Sequence, residues 1–320
     1  MKLRIGSRGS QLALWQANHI AGLLRGEGHE VEIEIIKTTG DRLQEVTFAQ
    51  VGSKGMFTKE IEEALADGRV DLAVHSLKDL PTELPKRFVL GAIPPRVDPR
   101  DVFVSVKFGS LAELPLGSRV GTSSQRRRAQ LKAIRPDLEV VEFRGNVDTR
   151  LRKLVEGQVE AIFLAAAGLD RLEKTEWVRE RLEPKEFCPA AGQGALGIEA
   201  RLGDEATIAA IAFLDHAATR FAVTAERAAL AALGGGCQVP VGIHCRTSSG
   251  SASETGKAEG VYDEIFGVVA APESGFAVRI FHRVPRGSVD PLALGRLAAE
   301  MLMDGGAGPL LGAAVGDDAR

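Results

Sequence analysis

At 320 residues, with 44% apolar and 26% charged side chains, the chain has the composition of a soluble globular protein and the length of two or three domains. A formal charge of −3 argues against bulk nucleic-acid binding, and aromatics at 5% leave few platforms for stacking bases. No segment approaches the ~18 consecutive apolar residues of a membrane span. The chain begins as a strand with no apolar signal core, and Cys188, Cys237 and Cys245 are odd in number without C-x-x-C spacing, so a cytoplasmic location is expected.

Leu3-Arg-Ile5 starts a strand that Gly6-Ser7-Arg8-Gly9-Ser10 breaks, and Ser10 is placed to cap a helix from Gln11 to Arg25. Leu12, Trp15, His19, Ile20, Leu23 and Leu24 fall on or near one face of it, and Gly26 and Gly28 stop it. Arg8 therefore sits beside a helix N-terminus, whose free N–H groups attract anions. Val31 to Ile36 alternates as a second strand, and Thr38 to Asp41 turns the chain. No periodicity follows as far as Phe57, and Gly52, Ser53 and Gly55 loosen the backbone; the stretch reads as a lid carrying Lys54. Thr58 is expected to cap a helix over Lys59 to Ala66.

From Gly68 to Pro81 comes the segment on which the rest turns. Val70, Leu72 and Val74 alternate with Asp71, Ala73 and His75, which predicts a strand with one buried face. Ser76, Lys78 and Asp79 then arrive together before Pro81 ends any central strand. In open α/β sheets, ligands bind beyond the carboxyl ends of strands, so this cation and carboxylate are a candidate reacting pair.

Pro94-Pro95 and Pro99 bracket a rigid crossing over Arg96 to Asp101, read as a hinge or domain junction. A second α/β unit follows. Arg119 to Ser124 reads as a strand end and cap, Gln125 to Ile134 as a helix, and Leu138 to Phe143 as a strand. Arg144-Gly-Asn146 turns into a helix over Val147 to Glu156, which holds Arg150. Ala161 to Ala165 is a buried strand, broken by Gly168 before Asp170 and Arg171. Arg126, Arg127 and Arg128 crowd a first helical turn, where the positive end of the dipole repels them. A polyanion bound at that end resolves the conflict; otherwise Arg126 to Arg128 form an exposed basic face. Four strand-to-helix turns that each pair Ser, Asn or Gly with Arg suit a ligand with many carboxylates or phosphates.

Gly192-Gln193-Gly194-Ala-Leu-Gly197 matches the dinucleotide fingerprint formally, but its context is wrong. Pro189 spoils the preceding strand and Ile198-Glu-Ala-Arg continues as a strand, so a turn feeding a return strand is expected. No phosphate loop or H-E-x-x-H is present, and the six histidines are scattered, so no metal site is expected. Thr219 to Leu233 reads as an alanine-rich helix, ended by Gly234-Gly235-Gly236 before Cys237. Those glycines leave the Cys237 sulfur beside bare backbone at a loop tip, whereas Cys188 and Cys245 read as small buried hydrophobes. A flexible surface loop is expected over Thr247 to Lys257. Strands over Ile265 to Ala270 and Ala277 to Phe281 and a helix over Asp290 to Met303 complete a small third domain.

Six ordered stretches then carry a resemblance. They are Arg8-Gly-Ser10-Gln-Leu-Ala-Leu-Trp-Gln16, Val74-His-Ser-Leu-Lys-Asp-Leu-Pro81, Gly121-Thr-Ser-Ser-Gln-Arg-Arg127, Phe143-Arg-Gly-Asn146, Ala190-Ala-Gly-Gln-Gly194 and Gly235-Gly-Cys-Gln-Val-Pro240. Over nearly the whole chain they resemble the porphobilinogen deaminase, or hydroxymethylbilane synthase, family. The resemblance implies an α/β fold of three domains: two similar lobes like those of periplasmic binding proteins, and a smaller C-terminal α+β domain. The implied boundaries are 1–95 with 195–214, then 100–190, then 217–320.

The resemblance also implies a dipyrromethane cofactor joined to Cys237 through a thioether. Four porphobilinogen molecules are added to it head to tail, each expelling ammonia, before water releases linear hydroxymethylbilane. By the same likeness Asp79 is the catalytic carboxylate, and Lys78, Asp79, Ser124, Arg126, Arg127 and Arg150 hold the cofactor. Arg8, Ser10, Lys54, Phe57, Arg144, Arg171 and Gln193 meet the substrate or the growing chain. Gln50 departs from the pattern, standing in the lid where some members carry lysine. A monomer that binds neither nucleic acid nor membrane is expected. The rival readings are a non-catalytic two-lobed binding module for a polycarboxylate and a phosphosugar-type transferase.

Overall fold

The computed structural model describes residues 1–39, 58–235, 239–250 and 260–311. The expected lid with Gln50, Lys54 and Phe57, and Cys237 itself, lie outside the described residues.

The chain starts with β1 (Lys2–Ser7), α1 (Gln11–Gly26), β2 (Glu30–Ile35), α2 (Lys59–Ala66), β3 (Leu72–Ser76) and β4 (Phe88–Ala92). It crosses into β5 (Asp101–Val104), β6 (Arg119–Gly121), α3 (Gln125–Ile134), β7 (Glu139–Val141), α4 (Val147–Val155), β8 (Ala161–Ala165), α5 (Ala166–Arg171) and β9 (Glu180–Arg181). It returns as β10 (Leu196–Arg201) and α6 (Glu205–Ile211). Last come α7 (Ala217–Ala232), β11 (Val241–Gly250), β12 (Gly260–Ala270), β13 (Ala277–Pro285) and α8 (Pro291–Asp304).

Two five-stranded sheets form the lobes, in the orders β2-β1-β3-β10-β4 and β7-β6-β8-β5-β9. With β10 and β5 set aside and the other four strands of each lobe numbered in chain order, both sheets run 2-1-3-4, and the strand set aside lies between the third and the fourth. In each, the first three strands are parallel, and an antiparallel strand is inserted beside the third. That inserted strand, β10 or β5, is in both cases the first strand after a crossing between lobes. The segment read as a mere hinge thus runs directly into β5, a strand the sequence pattern did not reveal. β4 also escaped notice.

Helices cover both faces of the first sheet. Ala17, Ile20, Ala21 and Leu24 of α1 pack on Leu3, Ile5, Leu72 and Val74. Ile61, Ala64 and Leu65 of α2 pack on Val70 and Ala73 from the other side. β3 is therefore buried on both faces, not on one as its alternation suggested, because central strands of such sheets are sandwiched. Its buried polar residue, His75, is satisfied by Glu199 of β10, Nε2 to Oε2 at 3.0 Å.

Ser10, Ser124 and Asn146 each accept a backbone N–H at a helix start, a contact worth ~1 kcal/mol. Thr58 makes no such cap, contrary to expectation; Glu60 and Glu62 in the first turn favour that helix end instead. Gly168 does not break the chain but lies inside α5, which carries Arg171 in its last turn. Gly192 and Gly194 adopt φ of +74° and +86°, and a Cβ on Gly194 would stand 2.7 Å from the Val97 carbonyl oxygen. The glycine pattern here serves a tight turn into β10, not a dinucleotide.

The C-terminal domain is a three-stranded antiparallel sheet, β11-β12-β13. β11 extends to Gly250, paired with Gly260, so residues 247–250 are strand where a loop was expected. Ile243, Ile265 and Val269 face α7 and α8. On the other face Phe266, Val268 and Ala270 pack against Ala129 and Cys188 of the second lobe. Val223 of α7 packs with Leu77 and Leu80 of the first lobe. Among the described residues, no single helix is long and apolar enough to cross a membrane.

Candidate active site

β3 ends in a 3₁₀ turn, Leu77–Asp79, that points toward the second lobe. Leu77 is fully buried and its N–H bonds the Ala195 carbonyl at 3.0 Å. That anchor leaves Lys78 half-buried and Asp79 exposed at the mouth of a cavity of about 530 Å³. Lys78 Nζ donates to Gln193 Oε1 at 3.3 Å. Desolvation draws the Lys78 ammonium down to about 8, with Asp79 opposing part of the effect.

The opposite wall is the start of α3. Ser124, Arg126 and Arg127 line the same cavity. The conflict of arginines at a helix N-terminus is answered by the protein's own carboxylate, Asp101. Arg126 Nη1 donates to Asp101 Oδ2 at 2.6 Å, and Arg127 Nη2 to Oδ1 at 2.7 Å. Arg126 also reaches the Cys188 carbonyl oxygen at 2.6 Å, and Arg127 that of Phe163 at 2.9 Å. Burial alone would raise the Asp101 carboxyl, but the two guanidinium groups overcome this and hold it well below the usual carboxylate range. Arg128 takes no part in this cluster.

Behind Lys78 lies a smaller cavity of about 90 Å³, walled by Arg127, Arg150 and Arg171. Arg171 Nη2 donates to the Gly194 carbonyl at 2.8 Å and its guanidinium lies 5.8 Å from the Trp15 ring centre. The buried Nε atoms of Arg150 and Arg171 have no hydrogen-bond partner among the described residues. Burial, with Arg127 nearby, lowers Arg150 to about 10; burial likewise lowers Arg171 to about 10, opposed by Asp170. Two cations so exposed to desolvation mark a place where an anion is wanted.

A third space of about 80 Å³ brings Arg8 and Ser10 to Asp79 and to Gln16, whose amide donates to Ser76 Oγ at 2.8 Å. Arg144 is not among the residues lining these three cavities; its guanidinium pairs with Glu142. Gln193 is fully buried, and its amide donates to the Pro99 carbonyl and to Asp101 while its oxygen accepts from Lys78. With its groups so engaged, Gln193 holds Lys78 in place, and it also lines the 530 Å³ cavity. Lys54, Phe57 and Cys237 lie outside the described residues, but Gly235 and Val239, on either side of 236–238, line the 530 Å³ cavity.

Three contributors went unseen in the sequence: Asp101, and the α7 neighbours Glu226 and Arg227. Glu226 is fully buried and accepts from both terminal nitrogens of Arg96, from Gly192 N–H and from Cys245 N–H. Arg227 donates to the carbonyls of Leu80, Pro81 and Thr82. The signal for Asp101 was the triple arginine itself, which demanded a counter-charge.

The sequence matches the porphobilinogen deaminase dipyrromethane cofactor binding domain over residues 3–209 and the porphobilinogen deaminase C-terminal domain over 220–304. The chain belongs to the porphobilinogen deaminase family. A porphobilinogen deaminase of Trichlorobacter lovleyi is 48% identical, covering 97% of this chain and 96% of that one. One from Chromobacterium violaceum is 46% identical over 99% of both. One from Nitratidesulfovibrio vulgaris (Miyazaki F) is 56% identical over 76% of this chain and 77% of its own. Among solved structures, the methionine binding protein MetQ is similar at 13% identity and a TM-score of 0.45, covering 67% of this chain and 89% of that one. Family membership makes this chain a transferase of tetrapyrrole biosynthesis that uses a dipyrromethane cofactor and takes porphobilinogen as its small-molecule substrate.

The residues fit that group. A cavity of about 530 Å³ is lined by Lys78, Ser124, Arg126 and Arg127, and the unpaired Nε atoms of Arg150 and Arg171 lie in the adjoining space. Acetate and propionate side chains are the anions this arrangement lacks.

Proposed function

We propose that Asp79 is the catalytic carboxylate of a hydroxymethylbilane synthase whose dipyrromethane primer is held through Cys237. One observation carries the reading. Asp79, the cationic wall of α3, and the two residues flanking 236–238 all border the same cavity.

Bound there, the dipyrromethane supplies a free pyrrole α-carbon as the nucleophile for porphobilinogen. Lys78, Ser124, Arg126, Arg127 and Arg150 pair with its carboxylates, the arginines through fork-shaped hydrogen bonds. Arg8, Ser10 and Arg171 take the carboxylates of incoming porphobilinogen, and Arg144 those of the lengthening chain further out. Asp79 accepts from the substrate pyrrole N–H, and its charge stabilises the cation left as ammonia departs. The same carboxylate takes the proton displaced at the new carbon–carbon bond.

In this reading the domains run 1–95 with 195–214, 100–190 and 217–320, and the enzyme is a cytoplasmic monomer. A non-catalytic binding module would account for the lobes and arginines but gives the third domain and its cysteine nothing to do. The test is the intact mass of the denatured protein. A gain of two linked pyrrole units over the sequence, absent in Cys237→Ser, is expected, with stepwise further gains on adding porphobilinogen. An unmodified protein that gains no mass with porphobilinogen overturns the reading.

A further inference from the structure

The carboxylate at the centre of the site sits on a short turn followed by irregular chain, and such a segment needs outside support to hold one position. That support comes from another domain. The Arg227 side chain of α7 donates through Nη1 to the Leu80 carbonyl oxygen at 3.4 Å, and through Nη2 to those of Pro81 at 2.6 Å and Thr82 at 3.0 Å. Pro81 has no N–H and residues 80–82 belong to no sheet, so these three carbonyls have no ladder partner of their own. One helical turn earlier, Val223 is fully buried against Leu77 and Leu80, the residues that bracket Lys78 and Asp79. The turn is thus gripped on its apolar side by Val223 and on its polar side by Arg227. Both come from the helix that leads, through Gly234 and Gly235, to Cys237.

We propose that Arg227 is a positioning residue that fixes the Asp79 turn to the cofactor-bearing domain, so that carboxylate and cofactor anchor move as one unit. The inference rests on the function proposed above. Elongation must fit a growing chain into the cleft without changing the distance between the reacting carbon and its carboxylate. A brace from α7 to the backbone of 80–82 keeps that distance fixed as the chain lengthens.

The experiment compares holoenzyme carrying Arg227→Lys and Arg227→Gln with a control, Arg220→Gln. Arg220 lies on the same helix and donates to Asp215 and to the carbonyls of Leu90 and Gly91, away from the Asp79 turn. Lysine keeps the charge and the fold but cannot span three carbonyl oxygens, so it serves if the glutamine variant does not fold. Expected for Arg227→Lys is a loss of about 100-fold in kcat, the cost of a misplacement of roughly 1 Å. KM should stay within about threefold. The mass gain from the cofactor should be intact, and amide hydrogen exchange across 77–82 should quicken by at least about tenfold. The control should show neither the kcat loss nor the faster exchange. Unchanged exchange or kcat in Arg227→Lys, or the same losses in Arg220→Gln, overturns the inference. A wild-type protein without cofactor mass or turnover would instead sink the parent reading.

Discussion

Arg96 Nη1 lies 2.6 Å from Glu226 Oε1, and this ion pair joins the crossing segment between the lobes to the core of the C-terminal domain. Arg96 Nε also donates to the Gln193 carbonyl on the second crossing at 2.7 Å. Both crossings are therefore tied to one buried carboxylate, with His244 Nδ1 3.3 Å away from it.

Burial alone would raise the Glu226 carboxyl; Arg96 and His244 overcome that and bring it to about 2, against 4.5 in the open chain. A depressed carboxylate contributes stability that is complete above its unfolded value and is lost as pH falls through the folded one. Glu226→Gln leaves Arg96 buried without its partner and should cost on the order of 3–5 kcal/mol at neutral pH. Urea unfolding should show the gap between wild type and variant closing as pH falls from about 4.5 to about 2. A gap that is flat with pH would refute the linkage.

Asp79→Asn keeps the shape of the turn and removes its charge. Turnover of porphobilinogen should fall about 100- to 1000-fold, in line with the loss of one electrostatic contact to a transition state. The mass of the purified protein tells whether the cofactor is still carried; its retention alongside full turnover would exclude Asp79 from the chemistry.

Lys78 loses its proton near 8 rather than at 10.5, so its carboxylate-binding charge is present below about 8 and fades above it. The rate at which cofactor-free protein takes up its cofactor should therefore fall on the alkaline side, centred near that value. Lys78→Arg, which stays charged, should carry the fall to higher pH. Identical profiles for the two proteins would assign the alkaline limb to another group.

Arg150 has a buried Nε with no partner among the described residues, so the ligand-free protein bears an unpaid desolvation cost. In a Cys237→Ser background, which should carry no cofactor, Arg150→Met is expected to raise stability by about 1–3 kcal/mol in thermal unfolding. With Cys237 restored, the same change should slow loading of the cofactor and raise KM for porphobilinogen. A destabilised Arg150→Met protein would mean that the guanidinium contributes to the fold itself.

How far the sequence could be read followed the range of each interaction. β1, α1 and α3 were legible because Ser10 and Ser124 cap helices three residues ahead, within sight of a local pattern. The turn after β3 was legible because its polar residues interrupt an apolar run. β5 was not, since Asp101-Val-Phe-Val is four residues behind a proline and is defined only by pairing with β8 some sixty positions on. The arginine cluster reads in the sequence as calling for a bound polyanion. That two of its members spend their charge on Asp101, 25 and 26 residues away, needed the fold. The bonds that tie Gln193 to Pro99, Asp101 and Lys78 were out of view for a similar reason, since they join residues 92 to 115 positions apart.

The exchange of inserted strands has a consequence for birth of the molecule on the ribosome. The second lobe draws all its strands from a continuous stretch, 101–181, and can close its sheet as soon as that stretch has emerged. The first lobe cannot. Its β3 and β4 are made early, but β10, the strand that lies between them, is synthesised only at residues 196–201. Until then two apolar strand edges wait unpaired, open to mispairing or to a chaperone. The half of the enzyme that presents Asp79 is thus begun first and finished after its neighbour.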